Sequence, residues 1–256
     1  MSRPLILVTN DDGINAAGVN ALADFVSEIG DVVVVAPDQP RSGQSHSITI
    51  EIPLKYQRLN RESKYPLYTC NGTPVDAVKI ASHYILDRKP DILVSGINHG
   101  SNSSVNIIYS GTVAAVLEGA MGGIPSIGFS LLDYSPFADF QPAKPYVQKI
   151  VNKVLEEGLP EGTALNVNFP YTNEKPLKGM RVCRQAKANW EEDFEIRQDP
   201  HGREYFWLKG KFQNLDGGQD TDEHALENGY VSIVPVEFDF TAHYALKQLK
   251  KWETDD

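Results

Sequence analysis

Positive charge is scarce in this chain. Its 256 residues carry 24 Lys and Arg against 34 Asp and Glu, a formal net charge of −10. That excludes a protein that coats DNA or RNA, because nonspecific nucleic-acid affinity rests on clustered basic side chains. A small anionic substrate stays compatible if something local supplies positive charge. Cysteine is scarcer still: Cys70 and Cys183 are the only two, in neither a CxxC nor a Cys/His cluster. This argues against a zinc site and reads as two buried thiols in a reducing compartment. No apolar run approaches about 18 residues, so neither a membrane span nor a membrane partner is expected. The run Leu5–Val8 is too short for a secretory h-region, and the expected location is cytoplasmic. Also missing are GxxxxGK[ST], GxGxxG and GxSxG. Their absence removes the P-loop, the dinucleotide fingerprint and the serine-hydrolase elbow.

What is present is an ordinary globular composition, 41% hydrophobic and 23% charged. Near-continuous apolar runs recur at Leu5–Val8, Asp31–Ala36, Asp91–Ser95, Ser126–Phe129 and Leu165–Phe169. Strands covered on both faces read this way. Between them, helical patterns cover Val19–Ile29, Val75–Leu86, Thr112–Met121 and Tyr146–Glu157. Alternation of this kind predicts an α/β fold, a Rossmann-like doubly wound and mainly parallel sheet. After about residue 184 the texture turns polar, broken by the aromatic burst Tyr205–Leu208. A strand at Tyr230–Pro235 and a basic-ended helix at Thr241–Trp252 follow. We expect a catalytic core over 1–184 and a C-terminal extension over 185–256. The aromatic strand suits either an oligomer contact or a hairpin packed on its own core.

In an open parallel sheet, ligands bind outside the carboxyl ends of the strands. The loops found there are Thr9-Asn10-Asp11-Asp12-Gly13, Pro37 to Gly43 with Arg41 and Ser42, and Gly96 to Asn102 with Asn98. Two adjacent carboxylates straight after an apolar strand either raise each other's pKa or demand a cation. Asp-Asp-Gly is also common capping and turn chemistry. With Ser42 and Asn98 beside them, Asp11 and Asp12 form a candidate metal site of four oxygen donors. Such donors suit Mg²⁺ or Mn²⁺, or Ca²⁺, rather than zinc. Asn10 shares that loop and counts among the substrate-binding candidates. Ser110-Gly111-Thr112 opens a helical run, so it is either a helix cap or an anion site. Thr73-Pro74 reads as a structural N-cap. His46 and His99 lie on candidate site loops, where a lone histidine is usually only solvated or hydrogen-bonded.

Six separate motifs then make the chain resemble the SurE family, the survival protein E or stationary-phase survival group of nucleotidases. They are Leu7 to Ile14, Val35–Asp38 with Arg41-Ser42, Ser47–Thr49, Gly72–Pro74, Val94–Asn98 and Tyr109–Val113. The likeness runs on through Tyr205–Leu208, Asp220–Asp222 and Gly229–Pro235. It implies a metal-dependent phosphatase of nucleoside 5′- and 3′-monophosphates, with short polyphosphate as a further substrate. It implies one divalent ion on Asp11, Asp12, Ser42 and Asn98, and a phosphate pocket on Ser110, Gly111 and Thr112. Asp11, Asp12, Asn98 and Ser110 are the implied catalytic residues. Asn10, Ser42 and Asn98 join the phosphate turn in binding substrate. A homodimer or homotetramer, built from a protruding hairpin and an exchanged C-terminal segment, is also implied. Where relatives often carry Gly-x-Asn-x-Gly-x-Asp, this chain has Ser104 for the second glycine and Asn106 for the aspartate.

Overall fold

The computed structural model describes residues 3–171 and 176–254. The outer ends of the two expected units, 1–2 and 255–256, lie outside the described residues. In chain order the elements are β1 (Leu5–Thr9), α1 (Ala17–Ser27), β2 (Asp31–Pro37), β3 (Tyr56–Arg58), β4 (Leu67–Cys70), α2 (Pro74–Ile80) and β5 (Ile92–His99). Then come α3 (Gly111–Met121), β6 (Ser126–Leu131), α4 (Lys144–Glu157), β7 (Thr163–Phe169) and β8 (Met180–Val182). The tail holds β9 (Ala188–Gln198), β10 (Glu204–Asn214), α5 (Asp222–Glu227), β11 (Val231–Glu237) and α6 (His243–Leu249).

Nine strands form one sheet in the order β3-β4-β2-β1-β5-β6-β7-β11-β8. The run from β4 to β7 is parallel, and β11 closes on β7 antiparallel. The doubly wound expectation therefore holds. Its strands read as unbroken apolar runs because both faces are covered. On one face Ile6, Val8, Leu22, Phe129 and Val147 join the α1 and α4 side. On the other, Leu7, Val35, Ala77, Leu93 and Val116 join the α2 and α3 side. After β1 the chain builds outward to β2 and β4, then returns to place β5, β6 and β7 on the other side. The strand order thus reverses between β1 and β5, which puts a ligand crevice at their carboxyl ends. β9 and β10 pair only with each other, as a hairpin outside the main sheet.

Most boundaries shift by a residue or two from the sequence reading, and three segments differ in kind. The helix expected to reach Leu86 widens from α-geometry into a π-turn at Ala81–Ile85, where the Leu86 N–H reaches back five residues to the Ala81 carbonyl. The C-terminal helix is a short α6 with a 3₁₀ turn at Lys250–Trp252. The segment Gly96–His99, expected as loop, is the end of β5, its register with β6 broken between Ser95 and Asn98. Gly96 has φ +120, and a Cβ there would lie 2.2 Å from the Phe129 carbonyl oxygen. A bulge built on a glycine re-aims the residues that follow it.

The Thr73 cap is a full capping box. Thr73 Oγ1 accepts from the Asp76 N–H at 3.2 Å, and Asp76 Oδ2 accepts from the Thr73 N–H at 2.9 Å. Thr73 also donates to the Ser47 carbonyl at 2.8 Å. Thr73→Ala is therefore expected to cost about 1–2 kcal/mol in a urea unfolding measurement. An unchanged midpoint would show that the cap is redundant.

Candidate functional site

Asp11 emerges from β1 directly into the crevice and is only 3% exposed. Thr112, at the start of α3, donates its hydroxyl to Asp11 Oδ1 at 2.5 Å, across 101 residues of sequence. Burial drives the Asp11 carboxyl from its usual 3.8 up to about 6, and the neighbouring Asp12 charge adds to the rise. The Thr112 hydroxyl and backbone N–H pull it the other way. Asp12 is raised too, again by burial first, while the His99 backbone N–H at 3.3 Å from Oδ2 opposes the shift. Two carboxylates are thus held in a place that disfavours their charge, which a cation would relieve.

Asn98 arrives from the bulged end of β5. Its Nδ2 donates to the carbonyls of His99 at 3.1 Å and Gly100 at 2.9 Å. That orientation leaves Oδ1 as the atom facing the crevice, 3.5 Å from Thr112 Oγ1. Gly111 lies against Asp11: a Cβ there would come within 2.8 Å of the Asp11 Cβ and 3.0 Å of its Oδ2. Only a glycine lets the N-terminus of α3 approach the carboxylate this closely. Ser110 is the N-cap, accepting from the Val113 N–H at 3.0 Å and keeping its own hydroxyl proton to donate.

Asn10 is fully buried, with Nδ2 on the Gly13 carbonyl and Oδ1 without a partner among the described residues. Thr9 Oγ1 and Ser95 Oγ, register neighbours on β1 and β5, are orphaned in the same way. Buried polar atoms without partners are rare, and these three lie together where β1 and β5 end side by side. The backbone brings Ser42 to this place through its neighbour, since the Arg41 N–H donates to the Asp11 carbonyl at 2.7 Å. Ser42 itself is exposed. Among the described residues no three His, Cys, Asp or Glu side chains gather. The donor set is two carboxylates with neutral oxygens, which fits a hard divalent ion and leaves room for an anionic ligand.

Sequence reasoning missed what stands behind these residues. Asp222, fully buried at the start of α5, accepts from the Ser104 and Ala186 N–H groups at 2.8 Å each. Ser104 sits at φ +50, the left-handed region, and its hydroxyl donates to the Ala186 carbonyl at 2.9 Å. That bond and the Asp222 contact offset the strain that makes glycine the usual occupant. A buried amide ladder, Asn102 to Ser130 and Asn168, and Asn166 to Asn102, steadies the same loop. Two asparagines at alternate positions of the buried run Leu165–Phe169 were the available signal. Arg41 was noted but given no role; its guanidinium turns to the Asn71 carbonyl at 2.8 Å and to Asp38 at 3.7 Å. His46 is taken by Glu118 at 3.1 Å, and the His99 ring packs edge-on to Phe140.

Comparison with known proteins places these features in context. Residues 6–192 match the family model described as Survival protein SurE. The chain is 57% identical over 256 residues to a protein of Christiangramia forsetii named 5′-nucleotidase SurE, covering 99% of this chain and 98% of that one. It is 48% identical over 252 residues to the protein of the same name from Bacteroides fragilis, covering 98% of each. Its fold is similar to the crystal structure of the SurE protein from Aquifex aeolicus. That match has a TM-score of 0.85 and 39% identity, and covers 98% of this chain and 100% of the other.

Proposed function

The chain belongs to the SurE family, and from that membership we propose that it is a metal-dependent 5′-nucleotidase. It hydrolyses nucleoside 5′- and 3′-monophosphates to nucleoside and phosphate, and short polyphosphate by the same chemistry. One observation carries this reading: the buried Asp11 carboxylate, raised to about 6, lies against a glycine-opened helix N-terminus at the strand-order reversal.

Asp11, Asp12, Ser42 and Asn98 would hold one divalent ion, Mg²⁺ or Mn²⁺, with Ca²⁺ suited to the same donors. Bound there, the ion supplies a Lewis acid for a phosphoryl oxygen and lowers the pKa of an adjacent water. The remaining work falls to the chain. Asp11 Oδ1 is fixed by Thr112, so Oδ2 is the atom that orients the attacking water and takes its proton. Asp12 anchors the ion. The Ser110 hydroxyl and the first-turn N–H groups of α3 hold the equatorial phosphoryl oxygens, and Asn10 and Asn98 line the floor. Water forms a bond to phosphorus as the ester P–O bond breaks, the departing nucleoside oxygen takes a proton from solvent, and no covalent enzyme intermediate is needed.

The test is phosphate release from nucleoside monophosphates after chelation with EDTA, then with Mg²⁺ or Mn²⁺ restored. Activity should vanish and return. Release that ignores EDTA would overturn the metal's role.

The units 1–184 and 185–256 divide the labour in this reading, the second acting as an assembly arm for a homodimer or homotetramer. Exposed Phe206, Trp207, Leu208, Phe240, Tyr244 and Trp252 support that role. Sedimentation equilibrium of the full chain checks it, and a monomer at micromolar concentration would reject it. Among the described residues no helix is long and apolar enough to cross a membrane. The free, buried thiols of Cys70 and Cys183 support a cytoplasmic location.

A further inference from the structure

A cleft of 400 Å³ adjoins the phosphate turn. One wall is Asn106 and Tyr109, from the 3₁₀ turn Ser104–Tyr109 that leads into Ser110. The other is Trp190 of β9 with Leu208 and Gly210 of β10. The two walls come from different units of the chain. They are joined by one hydrogen bond, from Trp190 Nε1–H to Asn106 Oδ1 at 2.8 Å. That bond fixes the indole plane, and Phe212 braces it edge-on at 5.6 Å. Gly210 makes room for the indole, since a Cβ there would lie 3.0 Å from Trp190 Cε3. On the facing wall the Tyr109 side chain is 53% exposed. Asn106 Nδ2 remains a free donor among the described residues.

We propose that this cleft is the nucleobase subsite, where a planar heteroaromatic base lies between Tyr109 and Trp190. The proposal rests on the nucleotidase reading above. Tyr109 is one residue from Ser110, and consecutive Cα atoms are about 3.8 Å apart. A ligand whose phosphate lies on Ser110–Thr112 therefore has its far end within reach of the Tyr109 ring. Stacking on aromatic faces tolerates any base, because every base has a π-face. The free Asn106 amide adds a hydrogen-bond donor at the base edge. Asn106 is also the residue that ties the hairpin wall to the phosphate turn.

The experiment compares kcat/KM for adenosine 5′-monophosphate with that for ribose 5-phosphate, which has no base, in the full chain with Mn²⁺. Wild type should favour the nucleotide. Tyr109→Ala and Trp190→Leu should each reduce that ratio at least about fivefold, mainly through KM, while Trp190→Phe keeps most of it. Tyr109→Ala changes an exposed side chain and decides the matter alone if Trp190→Leu fails to fold. An unchanged ratio in Tyr109→Ala, or a wild-type ratio near one, overturns the subsite and leaves the nucleotidase reading standing. So does a fall in the ratio confined to Phe240→Ala, which would move the base to the groove along α3 lined by Ile108, Leu117 and Phe240. A wild type that hydrolyses neither ester overturns the nucleotidase reading itself.

Discussion

Asp11→Asn is expected to lower kcat at least about 10²-fold and, in the same protein, to stabilise the metal-free fold at neutral pH. Both effects come from the buried carboxylate. In the unfolded chain Asp11 ionises near its usual 3.8; in the metal-free fold it keeps its proton until about 6. A raised folded-state pKa gives stability that is fully present below about pH 4 and is lost as the pH climbs through about 6. The loss is on the order of 3 kcal/mol at pH 7.5. Asparagine has the same shape, still accepts from Thr112, and carries no charge to bury. Urea unfolding in EDTA should therefore show the variant more stable than wild type at pH 7.5 and nearly equal at pH 4. Divalent ion should stabilise wild type and do far less for the variant. Full activity in the variant would sink the role given to Asp11. Equal stability at both pH values would sink the account of its burial.

Gly111→Ala is expected to separate activity from stability in another way. The new Cβ would lie 2.8 Å from the Asp11 Cβ, too close for either group to stay in place. Asp11 is held by the end of β1 and by Thr112, so the carboxylate moves relative to the Ser110–Thr112 turn. A displacement of about 1 Å in a positioned catalytic group costs on the order of 10²-fold in rate. The fold suffers less. Overpacking costs about 1–3 kcal/mol, and alanine recovers up to about 1 kcal/mol over glycine in a helix. The expected result is a folded protein with a melting curve close to wild type and kcat/KM reduced at least about 10²-fold. A wild-type rate would show that the close approach of α3 to Asp11 has no part in the chemistry.

Much of this arrangement was legible before the structure. The unbroken apolar runs at Leu5–Val8 and Asp31–Ala36 announce strands covered on both faces, because a half-exposed strand would alternate. Thr73-Pro74 announces a helix start, because its cap is made within four residues. The polar residues after the strands could be collected because a doubly wound sheet aims all such loops at one edge. The end of β5 was not legible. Gly96 to His99 looks like a loop by composition, and only pairing with β6 beyond a bulge makes it strand. Ser104 shows in the sequence only as a serine in place of a glycine; its left-handed backbone is held by Asp222 and Ala186, both distant in sequence. Asp222 drew no notice as a contact, since its partner at Ser104 is 118 residues away.

The line between the two kinds of knowledge follows the range of the interactions. Side-chain periodicity, caps and the oxygen-donor character of Asp11, Asp12, Ser42 and Asn98 are local properties, written into a few neighbouring residues each. From them the chain's own composition specifies an α/β layer with hard, anion-compatible chemistry at its strand ends. Which strand ends meet is another matter. It depends on the order β2-β1-β5, on the bulge that swings Asn98 inward, and on the approach of Gly111 and Thr112 to Asp11. Those are long-range contacts set by packing the whole sheet between its helices. The same packing buries Asp11 enough to raise it to about 6 and sets two loop aspartates where a cation would relieve their charge.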